Sequence, residues 1–150
     1  MRSLMVACLL GLASVSWGEV LVENAFVRAM PPGQPNTAAF MLMKNTNDAP
    51  VRLTKVSTPV AKKAEFHSHS KDSHGVMRMR KEAYVDIPAQ GAFEFKSGGH
   101  HIMLMGLTRP LKVDETVSIT VEDNEGQTYS FTLPVRSIVA SQSHHHHHHH

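Results

Sequence analysis

The hydrophobic and polar positions along this chain follow short strands separated by turn residues, with no long stretch of helical periodicity. Residues 51–57 alternate between apolar and polar faces, and residues 37–44 form an apolar run that predicts a strand buried on both faces. The chain closes with a predicted hairpin, 116–121 and 128–135, around the turn at 122–126. This pattern predicts an all-β fold, an antiparallel β-sandwich or barrel of about eight or nine strands.

The two ends of the chain differ from the rest in composition. Arg2 precedes an apolar run to Ala13 and small residues up to Gly18, which predicts a secretory signal peptide over residues 1–18 and therefore export. Residues 141–150 contain seven consecutive histidines and are interpreted as a linker and His tag. The domain is then residues 19–140. A lipidated Cys8 is the less favoured alternative, because the stretch before it is short.

Cysteine and charge exclude several classes of protein. Cys8 is the only cysteine, so the exported chain has no disulfide, thiolate metal site, c-type haem attachment or cysteine nucleophile. The formal charge of +2 includes Arg2 and gives no reason to expect nucleic acid. No segment after the signal is apolar enough to predict a membrane span.

Histidine and methionine share a face in the segment that follows Gly98-Gly99. In a predicted strand from His101 to Leu107, His101, Met103 and Met105 point to one side, with neighbours roughly 6.5–7 Å apart. Ile102 and Leu104 point to the other side, into a core. Imidazole and thioether together make half of a site for a soft metal ion.

The other half of this site is predicted from residues 67–80. Met77 and Met79 also share a face of a strand, and His67 ends the strand before a polar loop, residues 68–75, that could fold it back beside Met79. The predicted ligands are therefore His67, Met79, His101 and Met103. Thioethers and imidazoles without thiolate or carboxylate favour copper, and Cu(I) in particular.

This arrangement resembles the periplasmic copper chaperone family called PCuAC. The family pattern is a histidine, about ten residues, a methionine, twenty-one residues and then His-x-Met. Here Met79, the twenty-one-residue gap and His101-Ile102-Met103 match. The likeness extends through Asn45, Leu53 and Pro110-Leu111. The resemblance implies a cupredoxin-like or immunoglobulin-like sandwich in the periplasm that binds Cu(I) and delivers it to the CuA centre of cytochrome c oxidase or to another copper carrier.

The first histidine departs from the family pattern. Eleven residues separate His67 from Met79, and nine separate His69 from it. His67 is favoured because it lies where the strand pattern ends, and His69 stays open as the alternative. The histidine-bearing loop, with His74, also leaves open an auxiliary Cu(II) site. Met77, Met105 and His100 are interpreted as shielding, core or exposed residues rather than ligands, and Met41 and Met43 as core.

Four classes of function compete on this pattern. A copper chaperone without catalysis, expected to be a monomer, fits the donor set best. A cupredoxin-type electron carrier needs a cysteine ligand and is rejected. An enzyme or a haem protein would need acid–base residues or a larger pocket than the pattern offers. A non-catalytic structural sandwich, with methionines as core and only weak metal binding, is the alternative that Cu(I) affinity separates from the chaperone.

Overall fold

Ten β-strands and no helix make up residues 18–138, the part of the chain that the computed structural model describes. The all-β class predicted from the alternating pattern is confirmed, with slightly more strands than expected. The predicted signal peptide, apart from Gly18, and the predicted linker and tag lie outside the described residues. The strands are β1 Val20–Arg28, β2 Asn36–Asn45, β3 Val51–Ser57, β4 Ala61–Lys71, β5 Met77–Glu82, β6 Val85–Ile87, β7 Ala92–Phe95, β8 His101–Leu107, β9 Thr116–Asp123 and β10 Thr128–Arg136.

The strands form one connected sheet in the order β5-β4-β8-β2-β1-β10-β9-β3-β6, with β7 pairing with β2. Among the pairings within residues 18–138, only β1 with β10 is parallel, and it joins the two halves of the sheet. None of the described residues forms a helix that could cross a membrane.

A single hydrophobic core draws side chains from both halves of this sheet. Ile102 and Leu104 of β8 are fully buried and belong to the same cluster as Leu53 of β3 and Ile119 of β9. Met41 belongs to it as well, as the sequence predicted. Each of these side chains contributes about 1.5–3 kcal/mol by leaving water, so the core fixes which face of β8 points inward.

Strand β4 is longer than the sequence pattern predicted, and this corrects the expected loop. The pattern placed a loop over residues 68–75, whereas β4 continues to Lys71. The extension is stabilised because residues 68–71 pair with β5, and because the backbone N–H of His69 donates a hydrogen bond to the carbonyl oxygen of Gly99 at 3.2 Å. Its serines and histidines hide the alternation that would have shown the strand. The turn itself is built by Asp72, whose Oδ1 accepts hydrogen bonds from the backbone N–H groups of His74 and Val76.

Candidate metal centre

Three neighbouring strands, β5, β4 and β8, place histidines and methionines on the same face of the sheet. Register puts His69 opposite Met79, and His67 opposite His101. Neighbouring strands are about 4.8 Å apart, so these side chains lie within reach of one another. The face is the one opposite the core, because Ile102, next to His101 in sequence, is fully buried in the core.

His101 and Met79 are in direct contact. His101 Nε2 lies 3.2 Å from Met79 Sδ, and its Nδ1 faces the carbonyl oxygen of Gly99 at 3.4 Å. That carbonyl is placed by a turn in which Gly98 has a φ of +82°, a conformation that favours glycine. If Nδ1–H donates to the Gly99 carbonyl oxygen, Nε2 is left with a lone pair directed toward the thioether, where a metal ion would bind.

Burial keeps the His101 imidazole neutral. The residue is only 4% exposed, and this burial lowers its pKa below the usual 6.5, with the Gly99 carbonyl opposing the shift. The charges of His69, His67 and Arg28 lower the pKa further. A neutral imidazole is the form that binds a metal ion, so at neutral pH His101 has a ring nitrogen with a free lone pair.

A cavity of about 220 Å³ opens beside this contact. Three of the four predicted ligands line it: Met79, His101 and Met103. His69 also lines it, whereas His67 is not among its lining residues. The rings of His69 and His101 have centroids 5.0 Å apart, and those of His67 and His101 are 5.8 Å apart.

His67 instead contacts a carboxylate. Its Nε2 lies 2.8 Å from Glu65 Oε2, and Glu65 also accepts hydrogen bonds from Lys63 at 2.8 Å and Lys81 at 3.2 Å. The hydrogen bond from Lys63, followed by those from His67 and Lys81, lowers the pKa of Glu65 from 4.5 to about 2. Glu65 is therefore ionised at neutral pH and holds the His67 ring by one of its two nitrogens.

Two imidazole nitrogens at this face lack partners. The Nδ1 atoms of His67 and His69 are both buried and have no hydrogen-bond partner. Buried polar atoms are normally paired, so an unpartnered ring nitrogen beside a thioether cluster fits a metal-binding role. No group of three His, Cys, Asp or Glu side chains in the described part of the chain could hold a metal ion alone. A site here therefore needs the methionine sulfurs.

The remaining residues named from sequence lie away from the cavity. Met77 is 50% exposed and His74 is also exposed. His100 packs edge-on against Phe93, with ring centroids 5.0 Å apart. Met105 is half-buried and does not line the cavity.

Sequence reasoning missed the roles of two residues near this site: Glu65, which contacts His67, and Arg28, which lines the cavity. Glu65 could have been found from the sequence, because it lies two residues before His67 and a strand places such residues on the same face. Arg28 lines the cavity from β1 and gives no local signal, because only the sheet order brings it there.

The chain is similar to a protein family model and to a curated protein. Residues 20–135 match the family described as putative lipoprotein LpqE-like. A putative lipoprotein of Leifsonia xyli subsp. xyli, Lxx21020, is 32% identical over 118 residues, which are 78% of this chain and 69% of that protein.

Solved structures of similar fold include copper-binding domains. The copper-bound PCuAC domain from PmoF2 superposes with a TM-score of 0.65 at 19% identity, covering 79% of this chain and 92% of that domain, and supports the fold alone. Apo DR1885 from Deinococcus radiodurans is 34% identical, with a TM-score of 0.61, covering 93% of this chain and 95% of that one. Its Cu(I) form is 37% identical, with a TM-score of 0.59, covering 77% and 76%.

Proposed function

The chain belongs to the LpqE-like lipoprotein family, and from that premise and its His/Met cavity we propose that it is an exported Cu(I) chaperone. It carries the ion as cargo and catalyses no reaction. The observation that carries the proposal is the convergence of Met79, His101 and Met103 on one cavity, with His101 Nε2 3.2 Å from Met79 Sδ. A similar protein at 37% identity is described in its Cu(I) form.

The donor set supports Cu(I) in preference to other ions. Thioether sulfur is a soft donor that favours monovalent copper, whereas calcium and magnesium require oxygen. The cavity is open to solvent beside Met79, which is 47% exposed. A chaperone needs such a site, because its ligands must be exchanged one at a time with those of the receiving protein.

The histidine that completes the site is proposed to be His69. It lines the cavity with the two methionines and His101, and its Nδ1 is buried without a partner. His67, the histidine favoured by sequence, stays a prediction. Its Nε2 is engaged by Glu65, but its Nδ1 is equally unpartnered. Separate His67→Gln and His69→Gln variants decide between them: the ligand variant loses at least about tenfold in Cu(I) affinity, and the other keeps it.

We extend the proposal to the PCuAC family and its receiving protein. The match of Met79, the twenty-one-residue gap and His101-x-Met103 to the family pattern supports delivery to the CuA centre of cytochrome c oxidase or to another copper carrier. The test is to mix the Cu(I)-loaded chain with a copper-free CuA domain, separate the two and measure copper in each. Copper retained by the chain would refute direct delivery to the CuA centre and would leave delivery to another copper carrier as the remaining hypothesis.

Export to the cell envelope is part of the same proposal. The matching family and the Leifsonia protein are both described as putative lipoproteins. These descriptions support an envelope location, and they also support the alternative that Cys8 is lipidated. Fractionation with a Cys8→Ser variant tests this. Release from the membrane fraction would establish lipidation, and an unchanged periplasmic protein would establish simple signal cleavage.

The primary test is a Cu(I) competition titration against a chromophoric chelator, under anaerobic reducing conditions and with the tag removed. Wild type is compared with Met79→Leu and Met103→Leu, and Met41→Leu serves as a matched control in the core. One tight equivalent, lost in both cavity variants and kept in the control, supports the chaperone. Weak binding that both variants keep would overturn it in favour of the structural sandwich. The auxiliary site is tested in a separate titration, in which Cu(II) is added without reductant to wild type and to the His74→Gln variant, both with the tag removed.

A further inference from the structure

The cavity proposed to hold a cation also holds a fixed positive charge. Arg28 lines it together with His101 and Met103, and its guanidinium carbon lies 5.4 Å from the centroid of the Phe40 ring. This cation–π contact holds the side chain in place. The Arg28 Nε is buried and has no hydrogen-bond acceptor. The positive charge is therefore both held in position and poorly solvated on one side.

Sheet register explains how Arg28 reaches the metal face. Val27 pairs with Ala39, so Arg28 lies beside Ala38 on the neighbouring strand, and Ala38 pairs in turn with Met103. The methyl group of Ala38 leaves room above it, across which the long arginine side chain can extend toward the donors.

Within residues 18–138, no negative charge neutralises Arg28. No ion pair among the described residues involves it, and the nearest acidic residue by register, Glu65, lies on the far side of Met103. Glu65 is already bound by Lys63, Lys81 and His67.

We propose that Arg28 determines the charge specificity of the site, admitting a monovalent cation and rejecting divalent ones. The inference rests on the proposed function. Two imidazoles alone would not exclude Zn(II) or Cu(II), which bind imidazole well. Repulsion by a fixed charge is proportional to the charge of the ion, so its effect on the logarithm of affinity doubles from a monovalent to a divalent ion.

The expected size follows from Coulomb's law. For charges roughly 8 Å apart in a medium of dielectric constant roughly 30, removing Arg28 should raise the affinity for a monovalent ion about tenfold and for a divalent ion about a hundredfold. The repulsion also limits how tightly Cu(I) is held, which suits a protein that must release its cargo.

The experiment compares Ag(I) with Cd(II), two redox-inert soft ions with the same electron configuration and one unit of charge between them. Affinities are measured by competition for wild type, Arg28→Gln and Arg28→Lys, with the tag removed. The matched control is Arg136→Gln, which removes the same charge one strand farther from the cavity, at the position that pairs with Arg28. Shifts of the Met79 and Met103 methyl NMR signals report that each ion occupies this site.

The expected result is a larger gain for Cd(II) than for Ag(I) in Arg28→Gln, with little change in Arg28→Lys and a smaller change in Arg136→Gln. Equal gains for both ions, or no gain in Arg28→Gln, would overturn the inference and leave the chaperone intact. Failure of Ag(I) to shift either methionine methyl signal in wild type and in Arg28→Gln would overturn the proposed function, and this inference with it.

Discussion

The short pattern Met-x-Met occurs in two strands, β2 and β5, where the methionine side chains have opposite environments. In β2, Met41 and Met43 are 2% and 0% exposed and belong to the core. In β5, Met77 and Met79 are 50% and 47% exposed, and Met79 contacts His101. At its methionines, β2 lies between β1 and β7, whereas β5 is the last strand at one end of the sheet. The position of a strand in the sheet therefore decides whether its methionine side chains fill the core or leave their sulfur atoms accessible to a metal ion.

A third Met-x-Met pair, in β8, lies between these extremes. Met103 lines the cavity and is half-buried, and Leu104 between the two methionines is fully buried. The same strand thus supplies the core with one face and the cavity with the other. The comparison predicts that core and edge methionines can be perturbed independently.

The largest expected effect is on stability, from truncation in β2. Met43→Ala removes a fully buried side chain and should lower the free energy of unfolding by about 2–5 kcal/mol, because a cavity remains in the core. Met79→Ala, at an exposed position, should cost less than about 1 kcal/mol. Chemical denaturation of both variants measures these changes. Equal losses in the free energy of unfolding would mean that the methionines of β2 and β5 contribute equally to the stability of the fold.

Oxidation should separate the two pairs chemically. Mild peroxide should convert Met77 and Met79 to sulfoxides first, because they are exposed, while Met41 and Met43 stay reduced. Cu(I) affinity should fall at least about tenfold with the fold retained, since the thioether donor is lost. Peptide mass mapping identifies the oxidised residues, and affinity retained after complete oxidation of Met79 would count against this residue as a ligand.

A smaller effect is expected when the turn before β5 is weakened. Asp72 accepts hydrogen bonds from Arg78 Nε at 2.9 Å and from two backbone N–H groups, and the Arg78 bond is the largest cause of its lowered pKa. Because the folded pKa lies below 3.8, this stabilisation is present above about pH 3.8 and is lost as the pH falls below it.

Amide exchange measures the consequence. Protection of Met77–Glu82, corrected for intrinsic rates, should drop below pH 3.8 while that of Asn36–Asn45 is unchanged. In Asp72→Asn the pH dependence of this segment should disappear. A parallel loss in both strands would show that acid unfolds the whole sheet rather than its edge.

The smallest effect should come from Met77→Leu. Met77 pairs with Lys71 in β4 and does not line the cavity, so Cu(I) affinity should change less than about threefold. Titration beside Met79→Leu, two residues along the same strand, gives a direct contrast. A loss as large as that of Met79→Leu would make Met77 a ligand.

Much of the fold followed from local pattern. The bounds of β3 and β8 agree with the alternation of their residues, and Met41 and Met43 were predicted as core. The end of β4 was not predictable, because its polar residues carry no hydrophobic alternation and this part of the strand is formed by pairing with β5. That extension bears directly on the site, since it places His69 within the strand, opposite Met79.

The sequence by itself determined which side chains share a face within each strand, because successive residues of a strand point to opposite sides. This was enough to put His101 with Met103, to put both away from the core, and to suggest copper from the donor types. Only the tertiary structure decided which strands are neighbours and in what register. Strand order and register set the contact between His101 and Met79, and brought Arg28 beside side chains more than forty residues away in sequence. Pairing between distant strands depends on the packing of the whole sheet, so no local pattern of residues encodes it.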